Sequence, residues 1–151
     1  MNISPHARDA RAGVPTPRAE TCAPAGGARD ARVYTILYAE AAAPVADAVK
    51  ETLEAAGWRV EVCVRGDDAL RRLQGGARFD LLILDFALPG LDGIELTRRA
   101  RMMPRAAGTP IIMLTGFEVE REARRAGVDA YLRKPSGVCG LRGAAARLLA
   151  R

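Results

Sequence analysis

Four polar residues follow apolar segments of this sequence and could act together on a phosphoryl group. Asp85 ends the run LLILD, Glu40 follows VYTILYA, Thr115 ends PIIMLT, and Lys134 follows AYLR. A carboxylate can attack phosphorus, bind a metal ion or cap a turn. A threonine hydroxyl, a lysine ammonium and Mg²⁺ could each bind one oxygen of a transferring phosphoryl group. Lys134 is one of two lysines beside 21 arginines, so a compact point charge is favoured there over a guanidinium.

The elements that must position these residues alternate regularly along the chain. Continuous apolar segments indicate buried strands, and glycines such as Gly57, predicted at the C′ position, end the helices. We also predict Ser136 as the N-cap of the last helix. The predicted strands are 33–39, 59–64, 80–85, 110–115 and 130–133, and the predicted helices are 44–57, 67–76, 93–102, 118–127 and 136–150. This order indicates an α/β fold with a parallel sheet covered by helices on both faces, and the four polar residues should meet at its carboxyl edge.

The ordered motifs LLILDFALPGLDG, IIMLTG and AGVDAYLRKP resemble the receiver domain of two-component response regulators over roughly residues 33–150. The resemblance implies a flavodoxin-like, doubly wound five-stranded sheet with strand order 2-1-3-4-5. It implies that Asp85 accepts a phosphoryl group, assisted by Thr115 and Lys134, and that Thr115 and Tyr131 form a switch. It also implies Mg²⁺ held by Glu40, Asp85 and the backbone carbonyl of Ala87. The expected partners are a histidine kinase or phosphotransferase, a downstream protein and, as a further option, a second copy of the chain.

The sequence departs from the family pattern at the metal site. Receivers end their first strand with two adjacent acids, but here Glu40 is followed by Ala41. The missing acid touches Mg²⁺ directly in the family, so we expect weak metal binding. The segment from Thr115 to Gly127 is also shorter than the family usually shows. A receiver phosphorylated on Asp85 is therefore the leading interpretation, and a phosphorylation-independent pseudo-receiver acting as a protein-docking module is the alternative.

An enzyme of another class is disfavoured. Haloacid-dehalogenase-type phosphohydrolases also use a strand-end Asp, then Thr or Ser, then Lys. They need a second Asp two residues after the nucleophile, where this chain has Ala87, and a downstream acidic pair that YLRKPSG lacks. We therefore expect no enzyme beyond self-catalysed phosphoryl transfer to Asp85 and its hydrolysis.

Composition and charge bear on nucleic-acid binding, membrane contact and the cellular compartment. The formal charge is +5, with twelve basic against four acidic residues over 98–151. Without an aromatic-interleaved basic run we interpret this as a solvated arginine-rich face and do not expect nucleic-acid binding. Three scattered cysteines, no apolar run of membrane length and no secretion signal favour a cytoplasmic protein without membrane contact. Proline-rich residues 1–31 are predicted to form a disordered tail before a domain over 32–151.

Overall fold

The computed structural model describes residues 32–151; the expected disorder of residues 1–31 lies outside this range. Five strands alternate with five helices, as predicted. Their bounds are β1 Thr35–Ala39, α1 Ala43–Glu54, β2 Arg59–Cys63, α2 Gly66–Gln74, β3 Leu81–Leu84, α3 Gly93–Met102, β4 Ile111–Thr115, α4 Glu120–Ala126, β5 Ala130–Arg133 and α5 Gly137–Leu149.

The strands form one parallel sheet in the order β2-β1-β3-β4-β5, which confirms the predicted topology. In the register, Ile36 of β1 pairs with Val60 of β2 on one side and with Leu81 of β3 on the other. β3 is central, and Leu84 pairs with Met113 of β4. The chain leaves β1 toward β2 and leaves β3 toward β4, on opposite sides of the sheet centre. The crevice at this switch point, between β1 and β3, opens at the carboxyl edge.

Helices cover both faces of the sheet and divide the core into two apolar clusters. Alternate residues of each strand enter opposite clusters, as the period of a strand requires. One cluster joins the sheet to α2, α3 and α4, with Leu37, Leu82 and Met113 from the strands. The other joins it to α1 and α5, with Tyr38 and Ile83 from the strands. The inner strands β1, β3 and β4 are buried on both faces, which explains why their sequences are almost continuously apolar.

Several predicted element ends were wrong. α1 ends at Glu54, and Gly57 lies three residues later in a turn with φ of +86°, not at the C′ position. Ser136 does not cap α5, because its backbone is already helical and its hydroxyl donates to the Arg133 carbonyl at 3.4 Å. α4 begins at Glu120, two residues later than predicted, but Gly127 closes it as predicted. Gly127 has a left-handed φ of +112°, which a residue with a Cβ adopts only under strain.

The opposite, amino edge of the sheet has its own contacts. Trp58 lies just before β2 and packs against the α1–α5 cluster. Arg101 of α3 donates to the carbonyls of Gly127, Ala107 and Thr109, and so ties the ends of α3 and α4 together.

Within residues 32–151, no helix is long and apolar enough to cross a bilayer.

Candidate functional site

Each of the polar residues singled out by the sequence lies at the carboxyl edge, and the backbone fixes three of them there. The amide of Glu40 donates to the Cys63 carbonyl of β2, and the amide of Asp85 donates to the Ala39 carbonyl of β1, both at 2.9 Å. The amide of Lys134 likewise donates to the Thr115 carbonyl of β4 at 2.9 Å. These bonds continue the sheet by one residue past each strand, so the three side chains emerge from rigid backbone rather than from mobile loops.

Lys134 joins two carboxylates at the centre of this edge. Its ammonium donates to Asp85 Oδ2 at 3.2 Å and also to Glu40 Oε2. The Lys134 side chain is 18% exposed, the Asp85 side chain 11% and the Glu40 side chain 2%. The three groups carry a formal charge of about −1 together, so the site attracts a further cation less strongly than two unpaired carboxylates would.

Glu40 is almost fully enclosed, and its two oxygens already have donors. Oε1 accepts from the Ala42 amide at 2.9 Å, and Oε2 accepts from the Tyr38 hydroxyl at 3.3 Å as well as from Lys134. Burial, followed by the charge of Glu40, raises the pKa of the Tyr38 phenol far above its ordinary value. The phenol therefore keeps its proton and acts as a donor. Ala41, where the family has its second acid, is exposed.

Two glycines allow the loop after Asp85 to adopt its path. A Cβ on Gly93 would lie 2.2 Å from the Asp85 carbonyl oxygen, and a Cβ on Gly66 would lie 1.7 Å from the Leu91 carbonyl oxygen. The Gly66 amide donates to the Pro89 carbonyl at 3.0 Å. The start of α2 thus supports the loop that follows Asp85. Sequence reasoning missed both positions, although each glycine at the first residue of a helix was a visible signal.

Thr115 lies at the same edge but is not bonded to Asp85. It is completely buried, and its hydroxyl accepts from the Phe117 amide at 3.3 Å. Because Leu84 pairs with Met113, Thr115 stands one residue further along its strand than Asp85 does. The hydroxyl therefore flanks the carboxylate, and of Thr115 and Lys134 only Lys134 is bonded to it among residues 32–151.

Tyr131 contacts the loop that follows Thr115. Its hydroxyl donates to the Phe117 carbonyl and accepts from the Val119 amide at 3.3 Å. The Phe117 ring, which is 52% exposed, meets the Phe86 ring edge-on with centroids 5.5 Å apart. Phe86 directly follows Asp85, so this aromatic contact bridges the loops after β3 and β4. Phe86 and Tyr38 were not predicted from the sequence as parts of the site.

The oxygen donors at this edge fit a hard divalent cation, but they are few. Mg²⁺ accepts one or two carboxylates and keeps several waters, a requirement that Asp85, Glu40 and the Ala87 carbonyl could meet. No group of three or more acidic, histidine or cysteine side chains suited to a metal occurs within the described part of the chain. Both Glu40 oxygens already accept hydrogen bonds, so rotation of the carboxylate toward a cation would disturb these bonds.

Comparison with known proteins agrees with this geometry. Residues 36–145 match the family model described as the response regulator receiver domain. The phosphate regulon transcriptional regulatory protein PhoB of Rhizobium meliloti (strain 1021) is 48% identical over 90 residues, covering 58% of this chain and 39% of that protein. The chain thus spans about two fifths of the length of that relative.

Solved structures with the same fold extend the comparison. The chemotaxis response regulator CheY4 of Vibrio cholerae is 31% identical, with a TM-score of 0.72, over 78% of this chain and 99% of that chain. The receiver domain of a sensor histidine kinase from Pseudomonas aeruginosa PAO1, which has magnesium coordinated in its active-site cleft, is 29% identical with a TM-score of 0.73, over 80% of this chain and 100% of that one. The chain belongs to the response regulator receiver domain family of two-component signalling.

Proposed function

We propose that this receiver accepts a phosphoryl group on Asp85 and transmits the change to a partner protein. The observation that carries the proposal is the bond of 3.2 Å between the Lys134 ammonium and Asp85 Oδ2 at the carboxyl edge. An Asp85 oxygen attacks the phosphorus in line and forms the new O–P bond. The bond to the leaving group of the donor breaks, and that group takes the electron pair with it, leaving an acyl phosphate.

Lys134 and Thr115 assist this transfer by binding phosphoryl oxygens. The Lys134 ammonium, already beside Asp85, pairs with one of the three equatorial oxygens over which the phosphoryl charge is spread. The Thr115 hydroxyl accepts from the Phe117 amide, so its own proton is available for a second oxygen. Mg²⁺, held weakly by Asp85, Glu40 and the Ala87 carbonyl because Ala41 replaces an acid, would neutralise charge on the phosphoryl oxygens.

A signal from the phosphoryl group would leave the site through Phe117 and Tyr131. When the Thr115 hydroxyl turns toward the phosphoryl group, its bond to the Phe117 amide is altered. The Tyr131 hydroxyl is bonded to the carbonyl of that same Phe117, so the tyrosine responds to the movement. Tyr131 also lines a surface hollow together with Glu118, Glu120, Arg121, Glu122 and Arg133. This hollow supports a role for the α4–β5 face in binding the downstream protein or a second copy of the chain.

Receiver domains in general are signalling modules that interact with histidine kinases or phosphotransferases and with downstream effectors. By that likeness, a kinase or phosphotransferase protein is the proposed donor. The catalytic contribution of this chain is limited to the transfer to its own Asp85 and the later hydrolysis. The exposed residues Ala41 and Ala42 beside the acid edge leave space for such a donor to approach.

Intact-mass spectrometry tests the proposal directly. After incubation with acetyl phosphate and Mg²⁺, the chain should gain the mass of one phosphoryl group, and the Asp85→Asn variant should gain none. Asp92→Asn is the matched control, because Asp92 caps α3 through the Glu95 amide and Asn retains that bond. No adduct at high Mg²⁺, together with no binding of beryllium fluoride, would instead indicate a phosphorylation-independent docking module.

A further inference from the structure

Tyr38 is the exceptional member of its core cluster. It lies in the middle of β1, is completely buried, and faces α1 and α5. Every other buried member of this cluster is aliphatic. A hydroxyl placed in such surroundings needs a hydrogen-bond partner. Its partner is Glu40 Oε2 at 3.3 Å, two residues along the same strand and therefore on the same face of the sheet.

The donors around Glu40 favour one orientation of its carboxylate. Oε1 is occupied by the Ala42 amide, while the Tyr38 hydroxyl and the Lys134 ammonium converge on Oε2. Tyr38 is held by packing on all sides, so its hydroxyl cannot follow the carboxylate if the latter rotates. A turn of Glu40 toward a cation beside Asp85 therefore breaks the bond to Tyr38 and weakens the bond to Lys134.

We propose that Tyr38 is a positioning residue. Its hydroxyl holds the Glu40 carboxylate in the orientation that bonds to Lys134, and this orientation disfavours the binding of a divalent cation by Glu40. This inference rests on the proposed function in that Asp85 and Lys134 form the receiving site. With Glu40 committed in this way, an ammonium of the chain itself supplies part of the positive charge that a divalent cation would otherwise bring. Lys134 and the cation then compete for Glu40, and the Tyr38 hydroxyl shifts that competition toward Lys134.

The test measures cation binding rather than activity, with Mn²⁺ titrated into the full chain and free Mn²⁺ followed by electron paramagnetic resonance. Tyr38→Phe keeps the ring and removes one donor from Glu40, so its Mn²⁺ dissociation constant should fall about fivefold, the effect of one ordinary hydrogen bond. Tyr34→Phe is the control, since Tyr34 precedes β1 at the amino edge and its ring lies beneath the Arg32 guanidinium. Its dissociation constant should stay within about twofold of the wild-type value.

A second pair of variants asks whether Tyr38 acts through Glu40. In a Glu40→Gln background, the added Tyr38→Phe change should leave Mn²⁺ affinity unaltered, because the carboxylate that it releases is absent. Equal Mn²⁺ affinity of Tyr38→Phe and the wild type, including no detectable binding by either, overturns the inference. So does a fivefold tightening that persists with Glu40→Gln. The phosphate-adduct experiment is separate: a missing adduct with the expected Mn²⁺ response defeats the proposed function and leaves the role of Tyr38 intact.

Discussion

Lys134 separates two carboxylates that would otherwise face each other with little solvent between them. Glu40 and Asp85 are 1% and 8% exposed as whole residues, and both bond to the same ammonium. Lys134→Met should therefore lower the free energy of unfolding by about 2 kcal/mol, less than for a fully buried pair because the Lys134 side chain retains 18% exposure. Urea denaturation followed by circular dichroism measures the change.

The other lysine supplies the matched control for this prediction. Lys50 lies on α1 and is 3.8 Å from Glu54, with both side chains more than two fifths exposed. Lys50→Met should change the free energy of unfolding by less than about 0.5 kcal/mol. Equal effects of the two substitutions would show that Lys134 has no special part in holding the acidic edge together.

Phe117 lies beside the carboxyl edge of the sheet and contacts Phe86, the residue after Asp85. If Asp85 is phosphorylated, these rings restrict the approach of water to the acyl phosphate. Phe117→Ala should shorten the lifetime of the phosphorylated chain several-fold, as measured by the decay of the adduct mass. Met102→Ala removes an exposed apolar side chain from the far end of α3 and should leave the lifetime unchanged. An unaltered decay in Phe117→Ala would exclude shielding by this ring.

The sequence predicted which polar residues gather at the carboxyl edge, but it did not predict the hydrogen bonds between them. Asp85, Glu40 and Lys134 could be found because a polar residue after an apolar strand must emerge at the sheet edge. The bond from Tyr38 could not be foreseen, since the position of a buried hydroxyl depends on the packing of two helices against β1. The partner of the Thr115 hydroxyl depends on how the shortened loop turns after β4, and strand periodicity carries no information on that turn.

The presence of each helix and strand could be predicted from residue composition and from the spacing of apolar residues. The terminal residues of these elements were harder to predict. The three inner strands β1, β3 and β4 were expected from their short apolar runs, whereas β2 alternates polar and apolar residues. α3 and β5 have the predicted bounds. Ser136 directly precedes α5, but the predicted cap was wrong because its backbone angles are helical and its side chain makes no capping bond. Gly137 also packs closely against Leu132 there, since a Cβ on it would lie 3.0 Å from a backbone carbon. Strand and helix periodicity in the sequence carry no information on these backbone angles.

The start of α2 packs closely against the loop after β3 at Gly66. Gly66→Ala places a methyl group 1.7 Å from the Leu91 carbonyl oxygen, so one of the two segments must move. We expect a loss of about 2 kcal/mol in the free energy of unfolding, measured by urea denaturation. The adduct on Asp85 should also form more slowly, since the displaced loop directly follows that residue.

Gly140→Ala is the matched control for this glycine. Gly140 lies inside α5, and a Cβ there meets nothing within 4 Å. The same change should raise the free energy of unfolding by up to about 1 kcal/mol, because alanine is the better helix former. A Gly66→Ala variant as stable as the wild type would mean that α2 and the loop can separate without cost.

For the molecule as a whole, N-terminal deletions can test where the folded domain begins. Both core clusters of the described region begin at β1, and the Thr35 amide donates to Asp80 at 2.8 Å just before them. Removing residues 1–31 should therefore leave the midpoint of urea unfolding unchanged within error. Removing residues 1–36 should lower it, since the bond to Asp80 and the buried Ile36 are lost. A lower midpoint for the shorter deletion would place the domain boundary earlier in the chain.

The position of Trp58 decides what optical spectroscopy can report. It is the single tryptophan of the chain and lies at the start of β2, whereas Asp85 lies at the other end of the sheet. A strand of five residues separates the two edges by roughly 17 Å, so the indole fluorophore is remote from the acidic groups. Its emission is suited to following denaturation of the α1–α5 core, while events at Asp85 call for a probe such as a fluorinated phenylalanine at position 117.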